Sequence, residues 1–224
     1  MNVNEKCQHL HILFNNIKPL YFIPSDINSI KYTNGIYIVF EEGEKAHDLK
    51  RIVRVGTHRE LGNLKNRLNT HRQNSGSSVF RKKIGCAILN RKNPTDTDLA
   101  FWYNKDYNLI AEDKLQDIRH SVTRYITQNF SFVTFPVTET RKEDKGTLFW
   151  EAKIISTIAN CSNCSPSEEW LGRFLPEKFG DFRLAKKLGL WLTDEVNSPI
   201  LTDTELTELE TLIEMYISRQ NIRK

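Results

Sequence analysis

Hydrophobic positions along this chain switch between a helical and a strand period, and the switches mark out its elements. Leu10, Ile12, Leu13 and Ile17 form a short apolar-periodic stretch ahead of the turn signal Pro24-Ser25-Asp26. Residues 35–41 alternate and are rich in β-branched and aromatic types, which predicts a strand. Nine mostly polar residues, 42–50, separate it from a second run at 51–55, so a hairpin with a long connection is expected. Leu61, Leu64 and Leu68 then recur at helical spacing as far as His71, and residues 73–78 break the pattern. Val79, Phe80, Ile84, Ala87 and Ile88 predict another helix, with Arg81, Lys82 and Lys83 on its wet side, stopped by Asn93-Pro94-Thr95.

The second half continues the mixture. Leu115, Ile118, Val122, Tyr125 and Ile126 make 112–128 a helix, and 130–137 alternates over its first half as a third strand. Pro136 places that strand at an edge or marks its end. Helices are expected over 147–160, 181–188 and 202–219, and no internal repeat is present. The fold class is therefore α/β of the α+β kind, a small and mostly antiparallel three-stranded sheet flanked by helices, with extra N- and C-terminal helical segments. Its 224 residues suit a core at 31–162 with an extension at 1–30 and a helical one at 163–224 packed on that core.

Composition narrows the function classes. With 39% apolar and 27% charged residues the chain reads as soluble, and no apolar run approaches the roughly 18 residues needed to span a bilayer. The first residues lack the apolar core of a signal peptide, so a cytoplasmic location is expected. Cys161-Ser162-Asn163-Cys164 has the spacing of half a zinc site, but no second pair or nearby His pair follows, so two reduced thiols are expected there. No phosphate-cradling glycine loop or nucleotide fingerprint is present, which weighs against a small-molecule enzyme of that type.

Charge changes the picture further. Between Lys50 and Lys92 lie twelve Lys or Arg residues against one acid, Glu60, although the whole chain is only +4. Such a concentration fits a partner carrying phosphate, with Arg59, Lys65, Arg72, Arg81, Lys82, Lys83 and Arg91 tracking its backbone, or else a solvated basic face. An acidic run from Asp194 to Glu214 reads as the solvated face of the terminal helix, with a partner or a DNA-repelling end as the alternatives. Trp170-Leu171-Gly172 reads as a structural anchor.

Four positions carry candidate chemistry. Glu151 lies in the apolar stripe of Leu148, Ile154, Ile155 and Ile158, and a buried unpaired carboxylate costs several kcal/mol. It needs an arginine partner, a hydrogen-bond network or a hard divalent cation. Arg67 and His71 share one helix face at the border of the leucine stripe. Tyr37 points to the other side of its strand from Ile36 and Ile38; it is either packing or a base whose proton is loosened by positive charge such as Arg54.

In this order and spacing, Gly35-Ile36-Tyr37, Arg54-Val55-Gly56, Arg67 with His71, Glu151 and Asn160 resemble the signature of the GIY-YIG nuclease superfamily. The resemblance spans 35–160, and Arg54 stands where the family has its second tyrosine. It implies a metal-dependent endonuclease that hydrolyses DNA phosphodiester bonds in a restriction, defence or mobile-element setting. The alternative is an inactive nucleic-acid-binding module on the same scaffold. On the family reading Tyr37 takes the water's proton, Arg67 stabilises the attacked phosphate, and Glu151 holds one Mg²⁺ or Mn²⁺ ion. His71 and His58 then orient groups or relay protons, with Arg54 or His58 taking over the missing tyrosine's task. Gly35, Gly56 and Asn160 play supporting parts, Asn160 as a helix cap or as a support for the site. DNA is the expected partner, a membrane is not, and cutting both strands would favour a dimer.

Overall fold

The computed structural model describes residues 1–73, 78–139, 141, 143, 145–180 and 182–221. The break expected at 73–78 lies mostly outside them, as does Asp181. Helix α1 (Val3–Asn15) opens on a capping box between Asn2 and Glu5. After it come strand β1 (Leu20–Tyr21) and the short helix α2 (Pro24–Ser29), with proline in its first turn. Strands β2 (Gly35–Ala46) and β3 (Leu49–Gly56) follow, then helices α3 (Leu64–Arg72), α4 (Val79–Lys92), α5 (Thr97–Asn104) and α6 (Glu112–Asn129). Strand β4 (Phe130–Pro136) and helices α7 (Thr147–Ala159), α8 (Phe182–Leu188) and α9 (Asp203–Asn221) complete the chain.

The sheet is antiparallel with strand order β1-β4-β2-β3, four strands where three were expected. Strand β1 is only two residues long and escapes detection because alternation has no length over which to show. The β2–β3 connection also differs from expectation. Most of the polar stretch 42–50 belongs to the strands, and the turn is His47-Asp48, both left-handed at φ +53° and +63°. Two positive-φ residues are what a two-residue hairpin demands for its twist to match the strands. Leu61 is 67% exposed and precedes α3, so the leucine stripe reduces to Leu64 and Leu68. Helix α5 has no counterpart in the sequence-based reading; it is a single amphipathic pair of turns, too short to establish a period.

Two cores sandwich the sheet. Tyr37, Val39, Val53, Phe130 and Phe132 pack with Leu64, Leu68, Phe80, Ile84, Val122 and Ile126 on one side. Ile36, Ile38, Phe40, Ile52, Val55 and Phe135 pack with α1, α7 and α9 residues such as Leu10, Phe14, Ile154, Ile158 and Leu209 on the other. The strict alternation of β2 thus assigns each residue to a face. Segments after 163 enter both cores, Trp170, Trp191 and Phe182 on the first face and Leu201 and Leu209 on the second. Trp170 and Trp191 donate their indole N–H groups to the buried carboxylate of Glu41 at 2.8 and 2.9 Å, and Tyr125 donates to it at 2.6 Å. Burial pushes Glu41 above the ordinary carboxylate range while these three donors pull it back.

Glycine is required at two strand positions. A Cβ on Gly35 would stand 2.3 Å from the carbonyl oxygen of Phe135, and one on Gly56 would stand 2.2 Å from the Tyr37 hydroxyl. Tyr37 and Gly56 are direct cross-strand partners, so the tyrosine ring lies over the space the glycine leaves open. Gly56→Ala is therefore expected to displace Tyr37. It should cost about 1–3 kcal/mol in urea unfolding and break the Tyr37 contacts described below, visible in the tyrosine near-ultraviolet circular dichroism. An unchanged spectrum and stability would show that the cross-strand fit is not tight.

Candidate active site

Tyr37 is fully buried, and its hydroxyl lies 2.7 Å from Nε2 of His71 on α3. The other ring nitrogen of His71 is 2.9 Å from Ser78 Oγ, the hydroxyl that caps α4 by accepting from the Arg81 backbone N–H. The ring of Phe80 meets His71 edge-on at 5.5 Å. Burial, and the cations Arg54, Arg67 and Arg81 around it, hold the His71 imidazole neutral, well below the usual histidine range. His71 is thus a buried partner of Tyr37, and Ser78, which no sequence pattern marked, fixes its orientation.

Arg54 lies on the same face, as the cross-strand partner of Val39. Phe40 pairs with Ile52, so Val53 is the extra residue on β3, and Val53 and Arg54 share this face while Ile52 lies on the far side of the sheet. The guanidinium stacks 5.1 Å above Phe80. Arg54 is 1% exposed, and its Nε and Nη1 have no hydrogen-bond partner among the described residues. Buried donors without acceptors are costly, and they point to an acceptor that arrives from outside.

These residues border a cleft of about 440 Å³ lined by Arg54, Thr57, His58, Arg59, Arg67 and, from α7, Leu148 and Glu151, with Asp194 and Glu195 closing another side. Glu151 is half-buried at the edge where the apolar stripe of α7 meets the cleft. Burial pushes its carboxyl up to about 7; Arg54, the Thr57 backbone N–H and Arg67 oppose that rise, and Glu195 reinforces it. No Lys or Arg among the described residues comes within ion-pair distance of it. The arginine partner that would make Glu151 merely structural is not present among them.

A family model described as a GIY-YIG domain matches residues 25–219. The chain belongs to the GIY-YIG family. No curated protein and no solved structure gives a match. The family is one of endonucleases, so a nuclease-type function holds for this GIY-YIG domain at the family level. No helix among the described residues is long and apolar enough to cross a membrane.

Within the GIY-YIG frame the geometry sorts the residues singled out in the sequence. Arg54, His58, Arg67 and Glu151 come together on the cleft, and Arg59 joins them at its exposed rim. Tyr37 and His71 lie beneath the wall and are not part of its lining. His58 uses both ring nitrogens on backbone: Nε2 accepts from Gly35 N–H at 3.2 Å, so Nδ1 carries the proton and donates to the Glu60 carbonyl at 2.7 Å. It ties the start of β2 to the end of β3, and the relay role gives way to a positioning one. Asn160 caps α7, its side chain donating to the Ser156 carbonyl at 2.8 Å, about nine residues and 13 Å along the helix from Glu151.

The basic face needs correction. Arg81 and Lys83 are buried, not on the wet side of α4. Arg81 donates to the carbonyls of His71, Arg72 and Arg119 at 3.1–3.3 Å and to Thr123 Oγ1 at 2.9 Å, tying α3 to α6. The Lys83 ammonium stands 5.8 Å from the Phe182 ring, and Lys82 stands 4.2 Å from that of Tyr103. A residue-type count cannot distinguish these inward cations from solvated ones, since both keep the same helical spacing. Lys65 and Arg72 are half-buried against Asn28 and Asn69, and Arg91 is exposed over Phe174. Arg81→Ala is expected to destabilise the fold by about 2–4 kcal/mol by stranding four acceptors, while the salt dependence of DNA binding stays as in the wild type. A reduced salt slope with intact stability would restore Arg81 to the DNA surface.

Asp194 and Glu195 are further cleft residues the sequence reading placed elsewhere, on a solvated terminal face. They lie before α9, in the loop that follows the buried Trp191, and the anchoring of that tryptophan under the sheet carries them to the cleft.

Proposed function

We propose that this chain is a metal-dependent endonuclease that hydrolyses phosphodiester bonds of DNA, with residues 31–162 as its catalytic core and 1–30 and 163–224 as flanking segments. The single observation that carries the reading is the buried Arg54 guanidinium, with unpartnered donors, facing the same cleft as Arg67 and a carboxylate of raised pKa. A phosphate would satisfy those donors, and two arginines would neutralise the charge that accumulates on it during attack.

The donor set also fits a divalent cation. Glu151 is half-buried, lacks an ion-pair partner among the described residues and lies near a second carboxylate, Glu195, whose charge discourages ionisation of Glu151. A Mg²⁺ or Mn²⁺ ion would relieve that repulsion, with Glu151 as its ligand; when bound, such an ion supplies charge neutralisation at the departing oxygen. The chain's own residues do the rest. Arg54 replaces the family's second tyrosine as a phosphate donor. Neutral His71, with Nδ1–H donated to Ser78, accepts from the Tyr37 hydroxyl through Nε2 and receives that proton as the phenol oxygen takes one from the attacking water. His58 and Gly56 hold β2 and β3 in the register this requires.

One observation favours the alternative of an inactive binding module: Tyr37 and His71 are both fully buried, so the base can act only if the cleft wall admits water to it. Supercoiled plasmid at low salt, incubated with Mg²⁺, Mn²⁺ or EDTA, separates the two. Nicking or linearisation that requires the metal supports the nuclease. Salt-sensitive DNA binding without cleavage under either metal assigns the module, and failure to bind DNA at all removes both readings.

A further inference from the structure

A second cluster of chemically reactive side chains lies outside the cleft, where α1, the tip of the β2–β3 hairpin and the end of α7 meet. Cys7, His11, His47 and Cys164 present sulfur and ring-nitrogen atoms all within 4.8 Å of one another. Cys161 joins them, its sulfur 3.5 Å from His47 Nε2. The sulfur of Cys164 is also 3.5 Å from that nitrogen and 3.3 Å from the sulfur of Cys7. A ring nitrogen has one proton or one lone pair, so His47 Nε2 cannot serve two thiols by hydrogen bonding at once. A central ion removes the conflict. Tetrahedral zinc, with Zn–S of about 2.3 Å and Zn–N of about 2.0–2.1 Å, sets sulfur and nitrogen about 3.5 Å apart and two sulfurs about 3.8 Å apart.

His11 falls out of the ligand set on hydrogen-bond grounds. Its Nε2 accepts from the Ile52 backbone N–H at 3.2 Å, so the proton is on Nδ1, which donates to the Cys7 carbonyl at 2.9 Å. Both nitrogens are committed. We propose that Cys7, His47, Cys161 and Cys164 form a Cys₃His site for a structural zinc ion.

The surroundings hold these four side chains in place independently of any metal. Asn4, one turn before Cys7 on α1, donates to Ser162 Oγ at 2.9 Å and accepts from Ser162 N–H at 3.0 Å, which fixes the loop between the two α7-end cysteines. His47 projects from a left-handed position at the hairpin tip, and Cys7 and Cys164 are buried. Four protein ligands leave no open position, the pattern of a structural rather than a catalytic zinc. Thiolate and imidazole suit zinc and not magnesium. The site is also remote from the cleft: Glu151 and Cys161 are ten residues apart along and just past α7, about 15 Å. Binding would close two long chain segments, joining the N-terminal helix to the hairpin and to α7.

The test uses the full chain, purified under reducing conditions from zinc-supplemented cells and dialysed against a weak chelator. Elemental analysis should find about one zinc ion per chain. Replacement by cobalt should give the intense visible bands of a tetrahedral ion together with thiolate charge-transfer absorption. A strong chelator should lower the thermal midpoint by on the order of 10 °C. Cys161→Ser, which alters the least buried of the cysteines, should lower zinc retention in the chelator at least about 10-fold. Should that variant fail to fold, the wild-type cobalt spectrum decides alone. A chain without zinc that gives only the weak spectrum of octahedral cobalt overturns the proposal, as does a Cys7–Cys164 disulfide in the reduced preparation.

Discussion

Glu151→Gln is expected to abolish metal-dependent cleavage and, in the same protein, to raise the stability of the metal-free fold at and above neutral pH. Burial holds the Glu151 carboxyl at about 7, above its ordinary range. A folded state that binds a proton more tightly than the unfolded chain is favoured at low pH. Its advantage is complete below the unfolded value of about 4.5, falls as pH rises, and is gone above about 7. Across that window a shift of this size corresponds to about 3 kcal/mol, an upper figure because Glu151 is only half-buried by area. Glutamine keeps the shape and carries no charge, so the variant should lack the decline. Urea unfolding in EDTA at about pH 5 and about pH 8 measures it: the two proteins should match at the lower pH and diverge at the higher. Cleavage should drop at least about 10²-fold. Full activity in the variant would remove Glu151 from the site. Lost activity with an unchanged pH profile of stability would place the strain on some other buried acid, with Glu41 the first to examine.

Arg54→Met should behave in a related way for the opposite charge. The guanidinium is buried with two donors unpartnered among the described residues, so exchanging it for an apolar side chain of similar reach costs little or stabilises. Cleavage should fall at least about 10²-fold, because a charge fixed beside the attacked phosphate is worth roughly 3 kcal/mol to the transition state. Arg54→Lys should recover little of it, since a point charge does not reproduce a planar fork. Removing Arg54 also removes the nearby charge that most strongly lowers the Glu151 carboxyl, so the pH at which that group ionises should rise further. Were Arg54→Met to unfold the protein while Arg54→Lys behaved normally, the residue would be a structural cation. Equal activity in Arg54→Met would leave the second-tyrosine position without a chemical role.

The two experiments bear on the feature that separates this chain from the family pattern. The second motif reads Arg54-Val55-Gly56, and its glycine is explained by the Tyr37 ring across the strand. The arginine stacks on Phe80, yet its Nε and Nη1 have no hydrogen-bond partner among the described residues.

Much of the molecule was determined locally and is legible in the sequence. The alternation of 35–41 fixed which of Ile36, Tyr37 and Ile38 faces which core, and the spacing of Leu148, Glu151, Ile155 and Ile158 put a carboxylate within an apolar stripe, whose edge toward the cleft is where the structure holds it. Periods of two and of 3.6 residues are properties of single elements, so they survive without knowledge of any partner. Tertiary structure alone decided the remainder. An extra residue, Val53, puts two successive β3 side chains, Val53 and Arg54, on the face of Phe80, and a bulge is invisible to a pattern it interrupts by one position. Packing against α6 drew Arg81 inward, where helical spacing alone had left it on the surface. Cys7, His47 and the Cys161/Cys164 pair look unrelated along 158 residues of chain; they become neighbours only when α1, the hairpin tip and the end of α7 close over one core. Ligand sets and clefts are made by residues distant in sequence, and a one-dimensional period carries no information about which distant segments will meet.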